Sequence, residues 1–233
     1  MIQQQLTHEQ TAPSDTHPVT ISLFGAFALT VNGASVTTFR SNKTRALLIY
    51  LLLTDAQPLP RLTISELLWA GYVDQSAQAN LRQTWANLRN CLEPVDLLQS
   101  SRTHLSLQHD PTRLWCDVHQ FEALLDACQH HAHRALAECI DCRARLQQAV
   151  ALYQAPLLET FTALDSPPFN TWLQRQRARL AERLAEAQAI LAANATTPGN
   201  LPPLLTPLVG RATLSPLNAR ASSGRCWQLG CRQ

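Results

Sequence analysis

Lysine is almost absent from this chain of 233 residues: Lys43 is the only one. Glycine is scarce at seven, and the formal net charge is a mere +2. Each scarcity excludes something. With so little lysine the basic character falls to arginine, which reads mainly as codon usage but also suits bidentate contacts to phosphate. There is no Gly-rich phosphate loop, no Gly-x-Ser-x-Gly elbow and no His-Glu-x-x-His pair, so no constellation points to catalysis and no enzyme is expected. So small a net charge rules out binding to polyanions through bulk charge and leaves specific nucleic-acid contacts open.

Long apolar runs are missing too. The longest, Ala46–Leu53, is interrupted by a tyrosine and falls far short of the ~20 residues that a membrane helix requires; no membrane association is expected. The opening "MIQQQLTHEQTAPSDTHP" lacks the basic and apolar regions of a signal peptide and reads as a disordered leader over residues 1–18. Without an export signal the expected location is the cytoplasm. In that reducing compartment the seven cysteines are thiols or metal ligands rather than disulfides.

What is present is ordered in blocks. Residues 19–39 hold two β-branched runs around Asn32-Gly33, a dipeptide that predicts a hairpin because both turn positions need positive φ. The period then becomes helical. Ser41–Asp55 predicts a first helix capped by Ser41 or Asn42, with Leu47, Leu48, Leu51 and Leu52 on one stripe. Arg61–Trp69 predicts a second, and Ser76–Glu93 a third that Pro94 ends. Leu97-Leu98 and His104–Leu107 predict a hairpin with a polar tip at Gln99–Thr103, and Arg113–Val118 one more strand. From His119 to Ala193 the spacing is helical throughout, with a break at Asp165–Phe169. From Asn194 onward proline, serine and threonine accumulate, the composition of an unfolded tail.

On a helical wheel the third helix divides cleanly. Leu81, Trp85, Leu88 and Leu92 form a seam for burial. The opposite face carries Ser76, Gln83, Asn87 and Asn90 with Ala79 and Ala86 between them, and Gln78, Arg82 and Arg89 lie on its flank. A solvated face usually carries Glu–Lys pairs, yet residues 76–92 hold two arginines and no acid. Amides can pair with adenine, arginines with guanine or phosphate, and alanines let a helix sit deep in the major groove. The bland alternative is an ordinary surface helix. Strands, three helices and a hairpin form, in that order, the plan of a winged helix-turn-helix with its third helix in the major groove.

The segments "NKTRALLIYLLL", "LPRLTISELLW" and "QANLRQTWANLRNCLE" resemble the OmpR-type winged helix of the SARP-like bacterial transcriptional activators, and "WCDVHQFEALL", "AVALYQAPLLETF" and "FNTWLQRQRARL" resemble, in order, the tetratricopeptide-like bacterial transcriptional activator domain that follows it there. The resemblance spans about residues 20–193. It implies a mostly α fold with a small antiparallel β component: leader 1–18, winged helix 19–112, helical domain 113–194 and Pro-rich tail 195–233. It implies base contacts from Asn80, Arg82, Gln83, Ala86, Asn87 and Arg89, and a wing contact from Arg102. Lys43 and Arg45 are secondary candidates for phosphate contacts, or plain surface charges of the first helix. One departure is Trp85, where the family usually places an aliphatic residue. The implied partners are double-stranded promoter DNA, RNA polymerase and a second copy of the chain. Residues 36–113 hold eight basic and six acidic side chains, so a monomer should bind weakly and dimerisation on DNA is the expected remedy. The tail "LPPLLTPLVGRATLSPLNAR" is similar to the lead-in to the ATPase domain of larger members, which reads as a truncated or frame-shifted relative.

A further cluster lies in "CQHHAHRALAECIDC". His131, His133, Cys139 and Cys142 are the best four candidates for tetrahedral zinc; no other cofactor is expected. Cys139 and Cys142 also fit simple packing on one face of a helix. The rival functions are accordingly a protein-interaction module without DNA binding, or a metal- or redox-responsive regulator using that cluster.

Overall fold

The computed structural model describes residues 17–55, 58–132, 136, 139–162 and 164–195. The leader 1–16, His133 and the tail from residue 196 lie outside the described residues. No described helix is long and apolar enough to cross a membrane.

The chain opens with β1 (Val19–Ser22), β2 (Ala28–Val31) and β3 (Ala34–Ser35), antiparallel in turn. The β2–β3 connection is Asn32-Gly33 with φ of 49° and 77°, the double positive φ expected of that dipeptide. Helix α1 (Asn42–Leu53) is capped by Ser41, whose hydroxyl accepts from the Thr44 backbone N–H. Its burial extends beyond the predicted leucine stripe to Ala46, Ile49, Tyr50 and Leu53. The physical reason is that α1 is covered on more than one side: the Tyr50 ring meets Trp172 edge-on at 5.0 Å, and the His119 ring donates to the Leu52 carbonyl at 2.8 Å.

The short strand β4 (Leu59–Pro60) leads directly into α2 (Arg61–Leu68), and α3 (Asp74–Leu92) follows. Helix α3 starts two residues before the predicted Ser76, at Asp74, which complements the positive end of the helix. The wing is β5 (Leu98–Ser100) paired with β6 (His104–Leu107), and β4 adds a third strand on the far edge of β6.

Strand β7 (Leu114–Cys116) runs parallel to β1, so the N-terminal sheet has the order β3-β2-β1-β7. A cut at residue 112 therefore passes between strands of one sheet. Three helices complete the chain: α4 (Asp117–His130), α5 (Ile140–Leu152) and α6 (Pro167–Ala195). Two prolines open α6, where a missing N–H costs nothing. The helical spacing read from His119 onward is interrupted before α5, which begins at Ile140 with Cys139 extended at its N-cap. Helix α4 packs on α5 and α5 on α6, and Glu122 and Asp126 of α4 pair with Arg179 and Arg183 of α6.

The two halves share one hydrophobic core. At their seam the backbone of residues 156–159 binds the turn after β1: Gly25 N–H donates to Pro156, Leu158 N–H to Leu23 and Glu159 N–H to Gly25. Gly25 needs its freedom there, with φ of 89° and the Ala155 side chain close by. Beside this strip the carboxylate of Asp117, at the start of α4, accepts the backbone N–H groups of Leu23, Phe24 and Val118.

Candidate nucleic-acid interface

Helix α3 buries Ala77, Leu81, Trp85, Leu88 and Leu92 as one seam, so Trp85 is a core residue. The exposed side reads Ser76, Gln78, Arg82, Gln83, Ala86, Arg89 and Asn90. Of the expected base-contacting residues, Arg82, Gln83, Ala86 and Arg89 lie on this one open face, and Asn80 is half-buried at its edge.

Asn87 is the exception. It is 8% exposed, and its Oδ1 accepts the Arg40 backbone N–H at 3.1 Å. It pins the segment before α1 to α3, so it is a structural side chain and not part of the exposed face. Asn87→Ala would orphan that N–H, and a loss of about 1–2 kcal/mol of folding stability is expected, read by urea unfolding. Unchanged stability would overturn this assignment.

Between α3 and the wing runs a groove of about 510 Å³, lined among others by Arg61, Gln78, Arg82, Trp85, Arg102 and His104. Arg61 was missed by sequence reasoning. It enters because β4 pairs with β6: its backbone N–H donates to the Thr103 carbonyl at 2.8 Å, and its Nε to the Ser101 carbonyl at 3.1 Å. A two-residue strand leaves no periodic pattern, and only its position after Pro60 could have drawn attention. The Ser101 hydroxyl accepts the N–H groups of Thr103 and His104, which closes the tip and leaves Arg102 exposed on its apex. Burial, then the nearby charge of Arg82, holds the Arg61 guanidinium below its usual value. Among the described residues none of these three arginines forms an ion pair. The groove is thus an unneutralised cationic channel with a polar helix face as one bank, suited to a phosphate backbone.

Lys43 and Arg45 do not line this groove. The Lys43 ammonium lies over the rings of Trp69 and Tyr72 at 5.3 and 5.1 Å, and burial lowers its pKa against the raising effect of Asp165. Arg45 donates to Asn42 Oδ1 and lies over the Phe39 ring. Cation–π contacts hold both where they are. A larger cavity of about 680 Å³, walled by Leu114, Trp115, His119, Leu124 and Leu152 among others, contains none of the expected DNA-contact residues.

Away from the groove, three of the four candidate metal ligands converge. The Nδ1 of His131 lies 3.1 Å from the Cys142 sulfur and 3.5 Å from that of Cys139. Burial and the neighbouring thiols push Cys142 up to about 11, while the backbone N–H groups at the start of α5 draw Cys139 down.

Comparison with known proteins bears on both halves. Residues 116–224 match the family model of the bacterial transcriptional activator domain. Among solved structures the chain is similar to Mycobacterium tuberculosis EmbR, determined in complex with a low-affinity phosphopeptide: TM-score 0.61, 21% identity, 76% of this chain covered. The matched region is 45% of that structure's chain, so this protein spans less than half of it. A search of curated proteins gave no match.

Proposed function

We infer that this chain, which carries a bacterial transcriptional activator domain behind a winged helix and is SARP-like in that architecture, is a sequence-specific DNA-binding transcriptional regulator. In this reading α3 lies in the major groove, with Gln83, Ala86 and Arg89 toward base edges. The α3–wing groove takes the sugar-phosphate backbone, with Arg61, Arg82 and Arg102 as its cations. The helical region serves self-association and contacts to the transcription machinery, RNA polymerase included. The observation that carries the reading is the open face of α3 over residues 76–90, which holds no acid, beside a groove edged by three arginines that form no ion pair among the described residues.

The test is a gel shift or anisotropy titration against promoter fragments, including the region upstream of the protein's own reading frame. Salt-dependent affinity with preference for one sequence is expected. Gln83→Ala should weaken binding to that sequence by about 1–3 kcal/mol and leave non-specific binding nearly unchanged. A wild-type protein without salt-dependent affinity for any of these fragments would remove the DNA reading and leave a protein-interaction module.

A further inference from the structure

We propose that His131, Cys139 and Cys142 form a binding site for a zinc-class divalent metal ion, completed by water, that fastens the end of α4 to the start of α5. Zinc bonds of about 2.3 Å to sulfur and 2.0–2.1 Å to nitrogen, arranged tetrahedrally, place N and S ligand atoms about 3.6 Å apart and two sulfurs about 3.8 Å apart. The His131 Nδ1 already stands 3.1 and 3.5 Å from the two sulfurs, and all three ligand atoms lie within 4.8 Å of one another. One ion therefore reaches all three after side-chain shifts of no more than about an ångström.

Local structure explains the convergence. His131 is the C-cap of α4, where the chain turns extended. Cys139 is the N-cap of α5, and Cys142 stands in its first turn, three residues on and on the same face. The backbone N–H groups at that helix start favour the thiolate of Cys139, while burial opposes it at Cys142, whose proton the metal ion would have to displace. Cys142 is fully buried, whereas His131 and Cys139 are half-buried. The ion would sit at the surface with one side open to water. One nitrogen and two sulfurs select zinc-like ions over magnesium or calcium, which take oxygen ligands. Binding would release thiol protons and tie the end of α4 to the start of α5, so folding of this corner and metal occupancy are linked.

The experiment uses the full chain, purified reduced and without chelator. Elemental analysis should find zinc near one equivalent per chain. Replacement by cobalt(II) should give the visible d–d absorption of a tetrahedral site together with a near-ultraviolet thiolate charge-transfer band. His131→Ala, Cys139→Ser and Cys142→Ser should each weaken metal binding at least tenfold, and Cys226→Ser/Cys231→Ser should keep the cobalt spectrum. A strong chelator should lower the melting temperature of the wild type and leave that of Cys139→Ser unchanged. Wild-type protein that takes up neither zinc nor cobalt overturns the proposal, whether or not the variants fold. So does loss of the cobalt spectrum in Cys226→Ser/Cys231→Ser. A Cys139–Cys142 disulfide that persists in reducing buffer while metal stays absent also overturns it, and assigns the pair to redox chemistry. None of these readouts depends on DNA.

Discussion

Asp117→Ala is expected to cost roughly 3–5 kcal/mol of folding stability and to lower the melting temperature by about 10 °C or more. The carboxylate is 5% exposed and collects donors from both halves of the molecule. Its Oδ2 accepts Leu23 N–H at 2.8 Å and Phe24 N–H at 2.9 Å, and its Oδ1 accepts Val118 N–H at 2.8 Å. Burial pushes this carboxyl's pKa up, and those three N–H groups oppose the shift. Alanine relieves the buried charge but leaves three buried donors without an acceptor, each costing about 1–3 kcal/mol. Total stability for a domain is about 5–15 kcal/mol, so the variant should be near its limit. Asp117→Asn keeps one oxygen and the side-chain volume, and a smaller loss is expected. Thermal and urea unfolding followed by circular dichroism check both. A change below about 1 kcal/mol for alanine would mean that water or a shifted backbone takes over the donors.

Arg82→Gln/Arg102→Gln is expected to weaken DNA binding on the order of 10–100-fold near 0.1 M salt. If each arginine neutralises one phosphate, the slope of log affinity against log salt becomes shallower by about 1.8, because each contact contributes about 0.9. The pair is chosen because neither side chain holds the fold together: both are exposed, whereas Arg61 clamps the wing through the Ser101 carbonyl. The variant should therefore unfold as the wild type does. A titration series over salt separates the outcomes. An unchanged slope would remove these arginines from the phosphate contacts, even if affinity fell.

Local rules served the sequence reading well where one segment decides its own shape. Asn32-Gly33 made the turn, Ser41 made the cap, and the Leu81–Leu92 seam seated α3. Failures came where a distant segment decides. The helical wheel puts Asn87 on the polar face, and only the patternless stretch at Arg40 turns it into an internal acceptor. Arg61 joins the groove through a two-residue pairing with the wing. Strand β7 finds β1 from about a hundred residues away, and no periodicity announces that. Lys43 and Arg45 were placed by charge alone, while their neighbouring aromatic rings come from other elements. In the metal cluster, residue types and spacing were readable, but the short distances depend on where α4 stops and α5 starts.

The backbone strip that ties residues 23–25 to 156–159 has a consequence for operator geometry. Proteins whose DNA-reading and dimerising parts are joined by a slack tether tolerate a range of distances between half-sites, since the tether absorbs the difference. Here a shared core and interlocked main chains leave no such slack. A dimer built through the helical region would present its two α3 helices at one fixed separation and one fixed rotational phase, like the teeth of a rigid comb. Inserting half a helical turn between half-sites should then abolish cooperative binding, and a full turn should not restore it unless the DNA bends.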